Sequence, residues 1–368
     1  MRRAMRLNDA ILDGEPTSWP EGWPVPTTGM RLFEVVALVT AAAPETSETQ
    51  VLKQILERER SGHLSLRFAS NPSPLADVES AFAALDEAVR NAPALHGLSG
   101  YELDRRRFPA LVEWFGSGSS VDHFKRFERS LYLRHLEPHL ADLAPGAAVL
   151  DMGCGSGRMA TCLAARGFAL TLVDASSHAL KRATAGVLAA APRARPPAAW
   201  LADGNDLDFL ESGSFALTLA IEVLCYQANP ALMLAELVRV TRPGGLVVVS
   251  VEGLYGGLLQ DRRLGLGEAE SVLAGQPLVR PHDLFVTYFT RESLAAALEA
   301  QGLVCLNLEG THYVTDGPLA QLAEGLDFAD EVTCRRVLDL EQRCAADPVL
   351  SPLARAWLAV ARVPQAQP

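Results

Sequence analysis

The stretch Val149-Leu150-Asp151-Met152-Gly153-Cys154-Gly155-Ser156-Gly157 constrains this chain more than any other. An apolar pair ends in an acid, and three glycines follow at every second position. Glycine lets a backbone turn with positive φ and lets it come within van der Waals distance of a ligand. A helical segment is predicted over 158–167, with Met159 and Leu163 one turn apart and Gly167 as its stop. Next comes Leu170-Thr171-Leu172-Val173-Asp174, a β-rich run ending in an acid 23 residues after Asp151. Strand, Gly turn, helix, strand is a βαβ unit, which puts two parallel strands in one sheet and a helix on its face.

Two further features come at the intervals such a sheet requires. One is Trp200-Leu201-Ala202-Asp203-Gly204-Asn205. The other is an apolar run over 215–224, then Asn229-Pro230 opening a helix, then Arg242-Pro243-Gly244-Gly245 leading into Leu246-Val247-Val248-Val249-Ser250. An acid that ends the second strand, here Asp174, is placed to accept both hydroxyls of a bound ribose. A nicotinamide dinucleotide fingerprint spaces its glycines G-x-G-x-x-G. Here the spacing is G-x-G-x-G, and Arg158 stands where that pattern wants its third glycine. The loop therefore argues against a pyrophosphate cradle.

On these motifs the chain resembles the class I S-adenosylmethionine (SAM) methyltransferases, most closely the small-molecule branch that includes the ubiquinone-biosynthesis type. DMGCGSG matches their first motif, LVDAS the second and ADGNDL the third. AIEVLCYQANP matches the fourth, and VTRPGGLVVVS the segment after it. The resemblance covers roughly residues 121–364. It implies an α/β fold, a Rossmann-like seven-stranded methyltransferase sheet with an antiparallel last strand, and SAM as cofactor.

The resemblance also implies roles. Asp151 fixes the Gly turn and reaches the methionine amino group. Gly153, Cys154, Gly155 and Gly157 lie against the amino-acid moiety. Asp174, with Ala175 beside it, takes the ribose. Asp203 accepts from the adenine amino group, with Gly204 and Asn205 beside the ring, although Asp203-Gly204 also reads as a plain turn. Glu222, ending the fourth strand, orients SAM or removes a proton. Relatives with Glu-Val-Leu here place a His four positions after the Glu, whereas this chain has Tyr226. Ala216 stands where relatives often carry an acid. A Tyr is a poor base at neutral pH, so the expected mechanism is mainly positional, with at most one base from Glu222, His123 or His282. Tyr226, Tyr255 and Tyr288 are candidates to line the substrate pocket, or merely to pack.

Composition narrows the class. The chain has 368 residues, 49% of them hydrophobic, and a formal net charge of −11. Proteins that hold nucleic acid need a basic surface, so no nucleic-acid partner is expected and tRNA methylation is disfavoured. The six cysteines (154, 162, 225, 305, 334, 344) form no C-x-x-C pair. They read as reduced thiols of a cytoplasmic protein without a metal site. No apolar run approaches the length of a membrane span, and Arg2, Arg3 and Arg6 lead into no signal-peptide core. The expected partner is a small molecule or short peptide, methylated on N or O in a specialised pathway. The alternative is a SAM-binding subunit without catalysis of its own.

Length suggests two domains. Gly116-Ser117-Gly118-Ser119-Ser120 is the best linker. It divides an accessory domain over 1–118, α+β or mostly helical, from a methyltransferase domain over 119–368. The first would recognise substrate, build a homodimer, or both. It should be irregular over 1–30, apolar strand or buried helix over 32–43, helical over 49–59, 74–91 and 101–115, and a strand over 64–68. Within the second, a helix over 121–140 precedes the first strand, and in this family such a helix folds over the cofactor. The long stretch 252–287, which holds His282 and Tyr255, is the expected substrate cover. A helix over 290–302, a sixth strand over 303–314, a helical region over 318–346 and a last strand over 356–364 complete the reading.

Overall fold

The computed structural model describes residues 120–365, apart from 176, 194, 203, 228–229, 261–263 and 279–285, together with scattered residues between 10 and 74. Its centre is a sheet of seven strands: β1 (Ala148–Met152), β2 (Ala169–Asp174), β3 (Ala198–Leu201), β4 (Phe215–Ile221), β5 (Thr241–Glu252), β6 (Val304–Thr311) and β7 (Ala356–Arg362). Their spatial order is 3-2-1-4-5-7-6. The first five are parallel, and β7 runs antiparallel between β5 and β6. The short strand Ser73–Pro74 adds an eighth at the β3 edge.

These segments form strands because both faces of the sheet are covered. Successive side chains point to opposite faces. Leu150, Met152, Val247 and Val249 join one apolar cluster, whereas Val149, Leu170, Leu172, Leu217, Leu219 and Val248 join the other. A strand buried on both sides reads as a continuous apolar run, which is how 215–221 and 246–251 read in the sequence. β5 starts earlier than that run, at Thr241, because Arg242-Pro243-Gly244-Gly245 extends it through a shift in register against β4.

Among the described residues of 120–365, eight helices accompany the sheet. They are α1 (Ser120–Leu140), α2 (Ala160–Ala165), α3 (Ser177–Ala190), α4 (Pro230–Val240), α5 (Leu254–Gln260), α6 (Leu266–Leu273), α7 (Arg291–Ala300) and α8 (Glu331–Ala346). α1 bridges both clusters: Phe127 and Leu131 pack into one, Tyr132, Leu136 and Leu140 into the other. The Gly turn takes the first two positions of the helix expected over 158–167, and Gly167 ends it with φ 84°. Thr290 caps α7 as its sequence implies, by accepting from Ser293 N at 3.1 Å.

Two expectations change, and the stretch 252–287 gains detail. The region 318–346 is not helical throughout. Past a short turn of helix at Ala320–Leu322 the chain loops to Asp330, whose carboxylate accepts from Val332 N and Thr333 N and starts α8 there. The stretch 252–287 carries two helices, α5 and α6, and is pinned by bridges at Gly253–Phe289 and Leu278–Val286. In the first 118 residues, Ala10–Leu12 pairs antiparallel with Leu66–Phe68, so 1–30 is not wholly irregular. Positions 35, 38, 39 and 42 are helical, the helix side of the alternative expected there, among the described residues. The linker residues 116–119 and the expected helices 74–91 and 101–115 lie outside the described residues, Pro74 apart.

One buried carboxylate fixes the loop after β6. Glu341 of α8 accepts from Tyr313 N and Val314 N at 2.8 Å, from Thr315 N at 3.0 Å and from the Thr315 hydroxyl at 3.2 Å. His312 and Asp316, which flank this nest, hold φ of 61° and 59°. Such left-handed residues persist where their surroundings over-determine them. Glu341→Ala should therefore leave three buried backbone donors unpaired and lower the unfolding free energy by at least about 3 kcal/mol, at about 1–3 kcal/mol per orphaned group. Urea denaturation measures it, and a loss below about 1 kcal/mol would contradict the role given to Glu341.

Candidate active site

Strand order reverses between β1 and β4, and open α/β sheets bind ligands in the crevice at such a switch point, outside the carboxyl ends of the strands. The Gly turn leaves β1 here. Val173 O accepts from Gly153 N at 2.7 Å and Cys154 N at 3.2 Å, and Gly157 N donates to Cys154 O at 2.9 Å. Gly153, Gly155 and Gly157 have φ of 66°, 51° and 86°. At Gly157 a Cβ would meet the Ala183 backbone of α3 at 2.9 Å, so that glycine is needed for packing as well. At Gly155 a Cβ would meet no protein atom within 4 Å. The space beside it is open, so a side chain there would occupy room that the turn leaves empty. Cys154 is buried, and burial pushes its thiol well above the ordinary value.

Two acids frame the turn. Asp174 ends β2, and its Oδ2 accepts from Gly155 N at 2.8 Å. Asp151 is 3% exposed in β1 and pushed up to about 7, first by burial and then by Asp174, against the lowering influence of Arg158 and a hydrogen bond from the Ala160 backbone. Its Oδ2 has no hydrogen-bond partner among the described residues. A buried acceptor left unpaired costs about 1–3 kcal/mol, which a donor in the crevice would relieve, a cationic one most of all. Beyond β2 lie Ala175, part-buried, and the turn after β3. There a Cβ on Gly204 would strike the methyl ends of Met152 and Met233, and Asn205 Nδ2 donates to Gln227 Oε1 at 3.2 Å. Asp203 lies outside the described residues.

Opposite the Gly turn, Glu222 follows β4 with φ 56°. Its backbone N–H donates to the Ser250 hydroxyl at 3.1 Å. Tyr132 of α1 donates to Glu222 Oε1 at 2.6 Å, and Arg158 Nη2 meets Oε2 at 3.0 Å. Burial would raise the Glu222 carboxyl, but Arg158 beside it, with His312, Arg355 and Lys125 beyond, holds it well below the usual carboxylate range. Both oxygens are engaged, so the proton-removing role expected of Glu222 does not fit the geometry. What fits is a fixed negative charge, with 28% of its side chain exposed.

Arg158 joins three elements, its own Gly turn, the end of β4 and α1. Besides Glu222 it lies 3.5 Å from Glu128 of α1, and its guanidinium sits over the Tyr132 ring at 5.4 Å. Lys125 Nζ approaches Glu128 Oε2 at 2.6 Å, and His312 Nε2, in the loop after β6, approaches Oε1 at 3.6 Å. The Tyr132 and His312 rings are 5.4 Å apart.

A second cluster lies beneath the insertion. Tyr226 donates to Glu252, which also ion-pairs with Arg355. Tyr226 and Tyr288 pack with Val272, Leu278 and Val286. Tyr255 is 43% exposed on α5 and does not join this apolar group. His123, in the first turn of α1, makes no hydrogen bond or ion pair among the described residues, and His282 lies outside them. Sequence reasoning missed Arg158, Tyr132, Glu128, His312, Glu252 and Arg355 as site residues. Arg158 carried one signal, as the residue that breaks the dinucleotide spacing.

Known proteins resemble this chain in sequence. The methyltransferase-domain family model matches residues 124–308. The 2-methyl-6-phytyl-1,4-hydroquinone methyltransferase of Synechocystis sp. is 32% identical over 193 residues, 51% of this chain and 55% of that protein. A ubiquinone biosynthesis O-methyltransferase of Caulobacter vibrioides is 34% identical over 163 residues, 40% of this chain and 61% of its own length. The chain thus spans a little over half the length of the curated relatives it matches. An S-adenosylmethionine-dependent methyltransferase structure from Mesorhizobium loti is 23% identical, with a TM-score of 0.43 over 62% of this chain and 97% of that one.

The raised Asp151 makes a signed prediction. Between its ordinary value of 3.8 and about 7 the folded chain holds a proton that the unfolded chain has released. This contribution to stability is full below the lower value and lost as pH rises through the upper one. Asp151→Asn removes it, so the variant should gain stability relative to the parent between pH 5 and pH 8, measured by urea denaturation without ligand. An unchanged difference at the two pH values would contradict the assignment.

Proposed function

The chain belongs to the methyltransferase-domain family, and from that premise we propose that it transfers the methyl group of SAM to an oxygen of a small aromatic hydroxyl compound. The observation that carries the cofactor half is the buried, unpartnered Asp151 Oδ2 beside three left-handed glycines. A cationic amino group next to a carboxylate at this place suits an amino-acid ligand. The acceptor half is supported by the relative named as an O-methyltransferase and by the pair of tyrosines, Tyr226 and Tyr288, packed in one apolar group beneath the insertion.

In this reading Gly153, Cys154, Gly155 and Gly157 hold the amino-acid end of SAM, with Asp151 on its amino group. Asp174 takes the ribose, and Asp203, Gly204 and Asn205 take the adenine. When bound, SAM supplies a methyl group already activated on a sulfonium. What the chain adds is alignment and the exclusion of water, and such ordering accounts for on the order of 7–11 kcal/mol of a barrier. Glu222, kept ionised by Arg158, contributes a fixed charge complementary to a cationic ligand and requires no reorganisation during the reaction. The stretch 252–287 covers the acceptor.

Calorimetry should find SAM bound with micromolar or tighter affinity and weakened at least tenfold by Asp174→Ala. Unchanged affinity in that variant would take the ribose away from Asp174. Labelled SAM mixed with pools of phenols, amines and carboxylates should mark the phenols, and labelling of amines alone would overturn the oxygen acceptor.

A further inference from the structure

The cluster beneath the insertion contains buried polar groups that the cofactor crevice does not use. Tyr226 closes the helical turn Leu224–Tyr226 just after β4, and Glu252 is the last residue of β5. These strands are neighbours, so both side chains sit at the carboxyl edge where open α/β sheets bind ligands. The Tyr226 hydroxyl donates to Glu252 Oε1 at 2.5 Å, and Arg355 Nη1 holds Oε2 at 2.5 Å. We propose that Tyr226 and Glu252 form a proton relay, in which Tyr226 accepts the proton of the methyl acceptor while passing its own to Glu252. This rests on the methyl transfer to oxygen proposed above.

A tyrosine hydroxyl has one proton to donate and lone pairs that accept. The Tyr226 proton is committed to Glu252, so a group meeting that oxygen from the substrate side has to be a donor. In the transfer, the acceptor O–H bond breaks as its O–CH3 bond forms. The released proton moves to Tyr226 Oη, and the proton of Tyr226 moves to Glu252 Oε1. The electron pair of the broken carbon–sulfur bond stays on sulfur, which leaves as a neutral thioether. One carboxylate becomes a neutral acid as one sulfonium becomes neutral, and the charges balance.

The surroundings suit this step. Burial pushes the Glu252 carboxyl above its ordinary value, with Glu222 and Asp316 adding to the rise and Arg355 and the Tyr226 hydroxyl opposing it. Burial, then Glu252 and Cys225, pushes Tyr226 well above its own, so its hydroxyl relays a proton without resting as a tyrosinate. Glu222 is held low, which leaves Glu252 the better proton acceptor of the two. Arg355 also reaches Asp316 at 3.6 Å, and Gln260 of α5 donates to Asp316 at 2.8 Å, so the insertion and the loop after β6 both brace the pair. Leu254, Leu258, Val286 and Tyr288 shield it with apolar surface.

The test uses the full chain, Tyr226→Phe and Glu252→Gln, with catechol and the more acidic 4-nitrocatechol as acceptors. SAM affinity by calorimetry should stay within threefold in both variants. With catechol, kcat should fall about 100-fold, the low end for losing a general base, while KM stays within threefold. The acid limb of the kcat–pH profile should vanish in Glu252→Gln. With 4-nitrocatechol, which releases its proton unaided, the loss should shrink below fivefold, whereas a structural role would lower both acceptors alike. If Glu252→Gln does not fold, Tyr226→Phe carries the test, since it removes a single hydroxyl. Catechol methylation at the parent rate in the variants, or equal losses on both acceptors, overturns the relay alone. A parent chain that binds SAM and methylates neither acceptor overturns the relay and the oxygen acceptor together. A parent chain that binds no SAM overturns the cofactor reading as well.

Discussion

The ion pair between Arg158 and Glu222 is the interaction on which the crevice depends. It joins the end of the Gly turn to the end of β4 across the point where strand order reverses. The two side chains keep 17% and 28% of their surface exposed, and the pair gains little net stability, because both charges give up most of their water to make it. Removing one partner costs more than the pair gains, since the other charge stays largely desolvated without its counter-ion. The pair therefore acts as a geometric constraint. Glu222 cannot swing away from Arg158 and Tyr132, and α1 cannot lift without breaking the Tyr132 hydrogen bond and the contacts of Glu128.

The same constraint divides the labour between two carboxylates at neighbouring strand ends. Glu222 faces a guanidinium and a tyrosine donor, and remains a charge. Glu252 shares one oxygen with Tyr226 and the other with Arg355, in a more enclosed place, and has the higher proton affinity. Two carboxyls whose environments push their titrations apart are the usual mark of separate roles. Tyr226 stands where the family resemblance implies a histidine, and with Glu252 behind it a poor base gains a destination for a proton.

What was legible in the sequence was local. The Gly turn, the acids ending β1 and β2, the Thr290 cap and the Gly167 and Gly302 stops each arise from a few adjacent residues and elementary backbone sterics. The antiparallel last strand was legible through the family resemblance. The charge cluster was not, because its members are far apart in the chain. Tyr132 and Glu222 are separated by 90 positions, and Arg158 and Glu222 by 64. No period or spacing links an arginine in a turn to a glutamate after the fourth strand. Glu252 was hidden differently: it was read as the border of an insertion, although Tyr226 lies 26 positions away in the chain and within hydrogen-bond reach in space. The loop over 318–330 was misread as helix because its alanines and leucines favour helix, whereas Gly317, Gly325 and the Asp330 cap decide otherwise.

The central claim is that the crevice between β1 and β4 holds the amino-acid end of SAM against the Gly turn. Gly155 tests it most directly, because a Cβ there meets no protein atom within 4 Å, and Gly155→Ala, which carries the same strain at φ 51° with less bulk, serves as its control. Calorimetric titration of SAM into Gly155→Val, beside the parent chain and with circular dichroism to monitor the fold, is the measurement. The account predicts no detectable binding by a variant whose folded spectrum is kept. Binding within threefold of the parent would contradict it.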